Sequence, residues 1–401
     1  MNIFYVSSTC SSRKFKSLFE QSKAKPQQQI QKFHRLFIKG LEQLNNRLCM
    51  MSVLPINKYS SDKKWFGKET ETEGNIQYIY LPLANFPILK HLLIFITGFI
   101  TCLTWGIRNK RNSPVLICDV LNVTSSISAL LASKLLRIKT VAIVTDIPGF
   151  IKEYSREKHS GFKRLISKIY ELICHFFMYR YDSYIILTEQ MNELVNPKNK
   201  PFVVIEGMVD IDMGDISNKL EEKYEEKVIL YAGALYEKYG VKKLIEAFMN
   251  TKCEDARLWL FGSGEMENEI KEYEKADHRL KYFGVLPNEV IVMEELKATL
   301  LVNPRPSQEE FTKYSFPSKN MEYMASGTPV LTTKLPGMPK EYYDYIYLIE
   351  DEGEEGMAEA LELILSNHKM DLFHKGKIAK EFVLKEKNNR IQAKRFMETL
   401  L

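Results

Sequence analysis

The chain has 401 residues, 45% of them hydrophobic and 27% charged, with a net charge of +5. Such a composition is globular and such a length suggests two or three domains, which excludes disorder or a collagen-like repeat for the bulk of the chain. The charge is uneven: residues 1–200 hold 29 Lys and Arg against 14 Asp and Glu, whereas residues 201–401 hold 27 against 37. A basic half joined to an acidic half points to domains with different partners. Nucleic acid, anionic lipid and phosphorylated small molecules are the candidates for the basic half. The six Cys (Cys10, Cys49, Cys102, Cys118, Cys174 and Cys253) form no CxxC pair. A disulfide framework or a zinc site is therefore not expected, and a reducing cytosol fits. Asn2–Val6 is too short an apolar run for a secretory signal.

Along the first half, short apolar runs predict strands at Ile3–Val6, Ile76–Leu81, Val115–Leu121, Thr140–Ile147, Tyr184–Thr188 and Val203–Ile205. Amphipathic stretches between them predict helices at Gln28–Leu48, Ile88–Ile107, Thr124–Leu136 and Phe162–Tyr179. Leu92–Ile107 has 16 uncharged residues, with two Gly and three Thr among them. That falls short of the ~20 apolar residues a spanning helix needs, so a buried or surface-dipping helix is expected. Loop residues cluster at 207–219 and a charge run follows at Glu221–Lys227, which places a linker there.

The alternation then restarts. Strands are expected at Val228–Ala232, Arg257–Phe261, Leu280–Phe283, Thr299–Asn303, Pro329–Thr333 and Tyr345–Ile349. Helices are expected at Val241–Asn250, Glu265–Glu274, Pro287–Leu296, Pro317–Ser326 and Glu354–Ser366, with one or two more in the tail from Met370. The fold class is α/β, with two consecutive doubly wound parallel sheets. In such sheets ligands sit at the carboxyl ends of the strands, and two ligand edges in one chain suit a reaction between two bound molecules.

The most informative stretch is Asn303–Val330. A strand end is followed by a loop and then by a helix entered through Ser315-Phe316-Pro317-Ser318. Pro suits the first turn and Ser the cap, while Gly327 and Pro329 supply stop chemistry. The amide tip of that helix favours an anion such as phosphate. Lys319 in the first turn and Glu322 one turn later suit a nucleotide: the cation for the phosphates, the carboxylate for the ribose hydroxyls. A plain surface Lys–Glu pair has the same spacing.

Around these residues the chain resembles the retaining GT-B glycosyltransferases of family 4. In that family a Glu precedes a Gly-Thr-Pro-Val strand entry, as Glu322 precedes Gly327-Thr328-Pro329-Val330 here. Tyr231-Ala232-Gly233 with Glu237-Lys238-Tyr239-Gly240, Leu260–Gly264, Tyr282–Pro287 and Gly337–Glu341 resemble further pieces in the family's order. The resemblance is clear over 228–366 and loose before it. It implies two Rossmann-like domains facing across a cleft, an acceptor domain over 1–208 and a nucleotide-sugar donor domain over 220–376. A C-terminal helix at 378–401 would pack back on the first domain. It implies donor contacts from Gly233, Lys238, Val285, Arg305, Ser318, Lys319 and Glu322. The departures are Tyr314, where the family often has a second Glu, and Ala234, where it often has Arg. Arg305 is the replacement cation, with a structural role in its Pro-rich loop as the alternative. Tyr239 intrudes before Gly240. No metal or cofactor is expected, because cations and a helix dipole stabilise a leaving diphosphate; Asp210-Ile211-Asp212 reads as a linker turn.

For the acceptor, the hydroxyl-rich loop Ser7–Ser12, and Thr9 within it, follows the first strand. Asp146 ends a strand at the same kind of edge and is a candidate to orient or deprotonate a hydroxyl, with Asp119 and Asn122 behind it. Helix capping is the competing role for Asp146. Catalysis is assigned to Asp146, Lys319 and Arg305. Basic and aromatic residues cluster over Arg13–Lys39 and Lys152–Arg180, where an anionic membrane face and a solvated helix face are the two readings. No RNA-module motif is present, so nucleic acid is not expected. The implied activity is transfer of a sugar from a UDP-sugar to a lipid-linked or growing surface glycan, on the cytoplasmic side of a membrane. A nucleotide-sugar epimerase, a phosphorylase and a non-catalytic partner subunit remain alternatives.

Overall fold

The computed structural model describes residues 1–23, 28–57, 59–147 and 161–401. Lys25, Lys152, Arg156 and Lys158, which fall in the basic stretches above, lie outside the described residues, as do the side chains of Lys163 and Arg164. The chain divides into two compact units, Met1–Glu206 with Asn389–Leu401, and Gly207–Asn388.

The strands of the first unit are β1 (Asn2–Ser7), β2 (Arg47–Ser52), β3 (Trp65–Phe66), β4 (Glu69–Glu73), β5 (Ile76–Tyr80), β6 (Leu83–Ala84), β7 (Val115–Asp119), β8 (Lys139–Val144), β9 (Ser183–Ile186) and β10 (Phe202–Val204). Eight of them form one sheet in the order β10-β9-β8-β7-β1-β2-β5-β4. Neighbours run parallel except β4, which is antiparallel to β5. Strands β1 and β7 are buried at every position, which is why they read as unbroken apolar runs. The strand order reverses between β1 and β7, so the loops after these strands form the ligand edge of this sheet.

Four strands depart from the sequence reading: the short antiparallel pair β3 and β6, and β2 and β4 of the main sheet. The helix expected over Gln28–Leu48 ends at Gln43, and Arg47–Ser52 is instead the β2 neighbour of β1. Asn45 turns the chain there with φ +59. Leu48-Cys49-Met50-Met51 has no β-branched residue, and burial between two strands decides its state. The Glu69–Glu73 strand is an edge whose acids are used locally. Glu71 pairs with Arg13 at 2.8 Å, and Glu69 pairs with Lys14. Arg35 lies 4.4 Å from the Phe15 ring centre, and Lys23 pairs with Asp62 at 2.6 Å. Much of the Arg13–Lys39 cluster is thus spent within its own unit.

The apolar segment expected over Ile88–Ile107 is a helix, Pro87–Asn109. It packs along Val123–Leu136, where a Cβ on Gly98 would meet Ser128 Oγ at 2.6 Å and one on Gly106 would meet Leu136 Cδ1 at 2.5 Å. The chain re-enters the first unit at Asn389. The final helix, Asn389–Leu400, packs on Gln28–Gln43 with Phe37 and Phe396 edge to face at 5.4 Å.

The second unit has β11 (Lys227–Ala232), β12 (Ala256–Phe261), β13 (Leu280–Gly284), β14 (Leu300–Asn303), β15 (Val330–Thr333) and β16 (Tyr347–Ile349). They form one parallel sheet in the order β13-β12-β11-β14-β15-β16. Ile229 and Tyr231 of β11 enter one core cluster, and Val228, Leu230 and Ala232 enter the other. Both faces are therefore covered. Each unit is a Rossmann-like sheet, and in the second the order reverses between β11 and β14.

The crossing of Gln28–Gln43 with the final helix sets a test. Replacing a helical Gly by Ala ordinarily stabilises by about 1 kcal/mol. At Gly40 the new Cβ would lie 2.1 Å from the Asn389 backbone oxygen. Overpacking against backbone costs about 1–3 kcal/mol and outweighs the propensity gain. Gly40→Ala is therefore expected to lower the thermal midpoint in calorimetry.

Candidate functional site

The loops leaving β11 and β14 interlock at the switch point of the second sheet. After β11 a short turn, Glu237–Tyr239, ends at Gly240 with φ +80. A Cβ there would lie 1.9 Å from the Pro304 carbonyl oxygen, so only glycine lets this turn sit against the loop after β14. Gly233 serves a second close approach: its Cβ would be 2.3 Å from Lys319 Cε. Through that gap Lys319 crosses the end of β11 and donates to the Ala232 carbonyl.

The helix Ser318–Ser326 is pinned to both switch-point strands. Asn303 at the end of β14 donates to Asn320 Oδ1 at 2.7 Å, and the Tyr323 hydroxyl accepts from the Ala232 amide at 2.9 Å. The expected serine cap is corrected here: Pro317 occupies the cap position, Ser318 is the first helical residue, and no side chain caps the helix. Ser315 instead donates its hydroxyl to the Phe311 carbonyl at 3.0 Å. First-turn amides without a side-chain cap, aimed at a ligand edge, make an anion-favouring tip. Ser318 is exposed there, and Lys319 and Glu322 are half-buried one turn apart. Gly327 closes the helix with φ +80. Behind it Lys223 donates to the Ala298 carbonyl at 2.8 Å and to Thr328 Oγ1 at 2.7 Å, with burial holding its ammonium down to about 7.

Arg305 is the most unusual residue of this edge. Its guanidinium carbon lies 4.9 Å from the Tyr239 ring centre and 5.5 Å from that of Phe311. Its Nε is buried with no hydrogen-bond partner. Burial pushes the guanidinium pKa down, opposed by Tyr239 and Tyr231. A buried donor without an acceptor costs free energy, and a bound anion would recover it. Lys238, exposed on the turn, holds its Nζ 5.4 Å from the same Tyr239 ring. Tyr239, an intrusion by the sequence pattern, is therefore the platform shared by two cations. The structure brings Gly233, Arg305, Ser318, Lys319 and Glu322 to one sheet edge, with Lys238 beside Arg305. Val285 follows β13 at the outer side of the sheet and is 70% exposed. Tyr314 and Ala234 are half-buried, and the Ala234 carbonyl accepts from the Tyr231 hydroxyl at 2.9 Å.

Thr9, Asp119 and Asp146 belong to the first unit. Asp119 is fully buried. Its Oδ1 accepts from the Leu121 amide at 3.0 Å, and its Oδ2 lies 3.2 Å from His34 Nε2. His34 Nδ1 in turn lies 2.6 Å from the Tyr5 hydroxyl. The Asp119 carboxylate is thus spent on shaping the loop after β7. Thr9 is buried and its amide donates to Ser7 Oγ at 3.0 Å. Asp146, after β8, is half-buried, and burial raises its carboxyl to about 6. A cavity of about 520 Å³ opens at this edge, walled by Ser8, Asn57, Lys90, His91, Asn122 and Tyr170 among others. His91 Nδ1 is 2.7 Å from Thr124 Oγ1. Lys90, His91 and His34 escaped the sequence reading, because contacts between residues so far apart leave no local pattern. Among the described residues no group of three or more His, Cys, Asp or Glu is arranged to hold a metal ion. Asp210 accepts from the Asp212 amide at 3.1 Å, a turn contact.

Residues 212–375 match the family described as glycosyl transferases group 1. No curated protein matches the chain by sequence. The fold is similar to that of sucrose-phosphate synthase from Thermosynechococcus elongatus, with 15% identity, TM-score 0.64 and coverage of 100% of this chain and 99% of that one. It is similar to a glycosyltransferase from Rickettsia africae, with 17% identity, TM-score 0.63 and coverage of 99% and 97%. It is also similar to Anabaena HepE in complex with UDP and glucose, with 12% identity, TM-score 0.60 and coverage of 100% and 99%.

Arg305 sets the test of the site. Arg305→Met keeps apolar volume against the two rings and removes the unpaired donor. Cation–π contacts at a desolvated site are worth about 2 kcal/mol each, part of which the Met thioether keeps against the rings, and an orphaned buried donor costs about 1–3 kcal/mol. The two effects nearly offset, and the variant is expected to melt close to the wild-type temperature in calorimetry. A marked loss of stability would mean that Arg305 is a structural tie of its loop.

Proposed function

We propose that this chain, whose residues 212–375 match the glycosyl transferases group 1 family, is a GT-B glycosyltransferase that moves a sugar with retention from a UDP-sugar to a hydroxyl of a lipid-linked or growing surface glycan. The work is done at the cytoplasmic face of an anionic membrane. The observation that carries the donor half is the buried Arg305 Nε without a partner, beside a helix tip that no side chain caps. The solved structure of HepE with UDP and glucose, on the same fold, supports UDP as the nucleotide.

In this proposal the first-turn amides of Ser318–Ser326 and Arg305 hold the diphosphate. Lys319 exchanges the Ala232 carbonyl for a phosphate oxygen, and Lys238 closes from the turn above. Glu322 accepts from the ribose hydroxyls, and the backbone at Val285 passes the base. As the bond from the sugar's anomeric carbon to the phosphate oxygen breaks, charge grows on the leaving diphosphate. Fixed cations and dipoles stabilise that charge more than they stabilise the ground state. The acceptor oxygen bonds to the anomeric carbon from the face the diphosphate leaves. Its proton passes to the leaving phosphate, with Asp146 orienting the hydroxyl as a carboxylate.

Two measurements test this. UDP at 100 times its Kd stabilises the folded form by about 2.7 kcal/mol. It is expected to raise the melting temperature of the wild type well beyond that of Glu322→Gln at equal concentration; no shift in either protein contradicts the donor assignment. The Asp146 carboxyl is raised by burial from 3.8 to about 6 and is needed charged. Transfer is therefore expected to fall as pH drops through about 6, and Asp146→Asn is expected to lose both rate and that acid limb. An unchanged limb would remove Asp146 from the reaction.

A further inference from the structure

Two helices of the first unit turn apolar faces to solvent. Along Pro87–Asn109, Ile88, Leu92, Ile96, Ile100 and Ile107 are 86%, 54%, 47%, 53% and 60% exposed. Their spacing of four, four, four and seven residues makes one stripe, about 29 Å long at ~1.5 Å per residue. The other side of the helix is the packed side, where Cys102 Sγ donates to the Ala129 carbonyl at 3.5 Å. The helix is long and apolar enough to cross a membrane. Yet it is bound along its length to Val123–Leu136, so it is placed to lie in a surface.

The second helix, Gly161–Met178, buries Cys174 and Met178 and exposes Leu165, Ile166, Ile169, Ile173 and Phe176. At helical spacing these five share one arc, so this amphipathic helix faces its apolar side outward. Exposed faces of this extent on a soluble unit mark an interaction site.

The rims of these faces identify the occupant. At the amino end of the first stripe, Trp65 and Phe86 are exposed and pack edge to face at 6.4 Å. At its carboxyl end Arg108, Lys110 and Arg111 are exposed. Amphipathic rings and cations at the two limits of an apolar stripe suit the headgroup boundary of a bilayer. Between Pro87 and Ser113 there is no Asp or Glu, and between Gly161 and Arg180 only Glu171. A second copy would bring cations with almost no acid to meet them, whereas anionic headgroups supply the opposite charge.

We infer that the first unit docks on an anionic bilayer through these two faces, lying in the headgroup plane without spanning. The surface is distinct from the Arg13–Lys14 region, whose cations are paired with Glu71 and Glu69. The purpose of docking rests on the proposed function, but docking itself needs no donor site. Lys90 and His91 from the first helix and Tyr170 from the second wall the same cavity. Docking therefore places that cavity at the headgroup plane, where the hydroxyl of a lipid-linked acceptor is presented.

The test is co-sedimentation of the full chain with vesicles of phosphatidylglycerol and phosphatidylcholine, against phosphatidylcholine alone. The wild type is expected to pellet with the anionic vesicles. Ile96→Glu with Ile100→Glu is expected to lower the partition constant by roughly tenfold or more per isoleucine. Arg108→Gln, Lys110→Gln and Arg111→Gln together are expected to lower it by about fivefold per cation and to flatten its salt dependence. The UDP-induced thermal shift of each variant is expected to match the wild type, which separates a failure of docking from a failure of the donor assignment or of folding. A wild type that stays in the supernatant, a glutamate variant that pellets equally, or a wild-type dimer that the glutamates dissociate would overturn the inference.

Discussion

A guanidinium packed beside two aromatic rings, with its buried Nε left without a hydrogen-bond partner, is a costly arrangement. Arg305 is held in it by the interlocked loops of β11 and β14, and Gly240 permits that interlock by leaving room for the Pro304 carbonyl. The rest of the second unit follows from this constraint. The parallel order brings β11 and β14 side by side, the Asn303–Asn320 and Tyr323–Ala232 contacts fix the helix tip next to Arg305, and Gly233 opens the path for Lys319. In the proposed function, a phosphate oxygen meeting this donor would turn that cost into binding energy.

The first unit uses the same sheet logic for another purpose. Its switch point lies between β1 and β7, and the loop after β7 is shaped from beneath by Asp119, which accepts from the Leu121 amide and from Asn122 Nδ2. Buried polar groups of this kind set a loop's geometry without meeting a ligand. The cavity wall above it is mixed, with Lys90, His91 and Asn122 beside Leu54 and Ile94. Such a lining suits an amphiphilic molecule better than a free sugar.

Much of the fold is legible in the sequence for a physical reason. Strands covered on both faces must be short and apolar, so β1, β7 and all six strands of the second unit stand out between amphipathic helices. β2 is hidden because Leu48–Met51 is as good a helix continuation as a strand, and only its place between β1 and β5 decides. β4 is hidden because Glu-Thr-Glu-Thr-Glu is apolar on neither face and takes its state from the edge it protects. At the site, the Lys319–Glu322 spacing and the glycines are local and could be read. The Tyr239–Arg305 contact joins two distant loops, so nothing local marks Tyr239 as the ring shared by Arg305 and Lys238. For Gly161–Met178 the composition of Lys152–Arg180 offers a membrane face, but periodicity reveals an apolar side and not which way it points.

The central claim is that this edge recognises a diphosphate through Arg305, Lys319 and the uncapped helix tip, with the base and sugar secondary. Isothermal calorimetry of UDP against uridine at equal salt tests it most directly. The account predicts that UDP binds at least ~100-fold more tightly than uridine, since two or more charge-assisted contacts of about 1.5–3 kcal/mol each are lost with the phosphates. Uridine binding as tightly as UDP would contradict it.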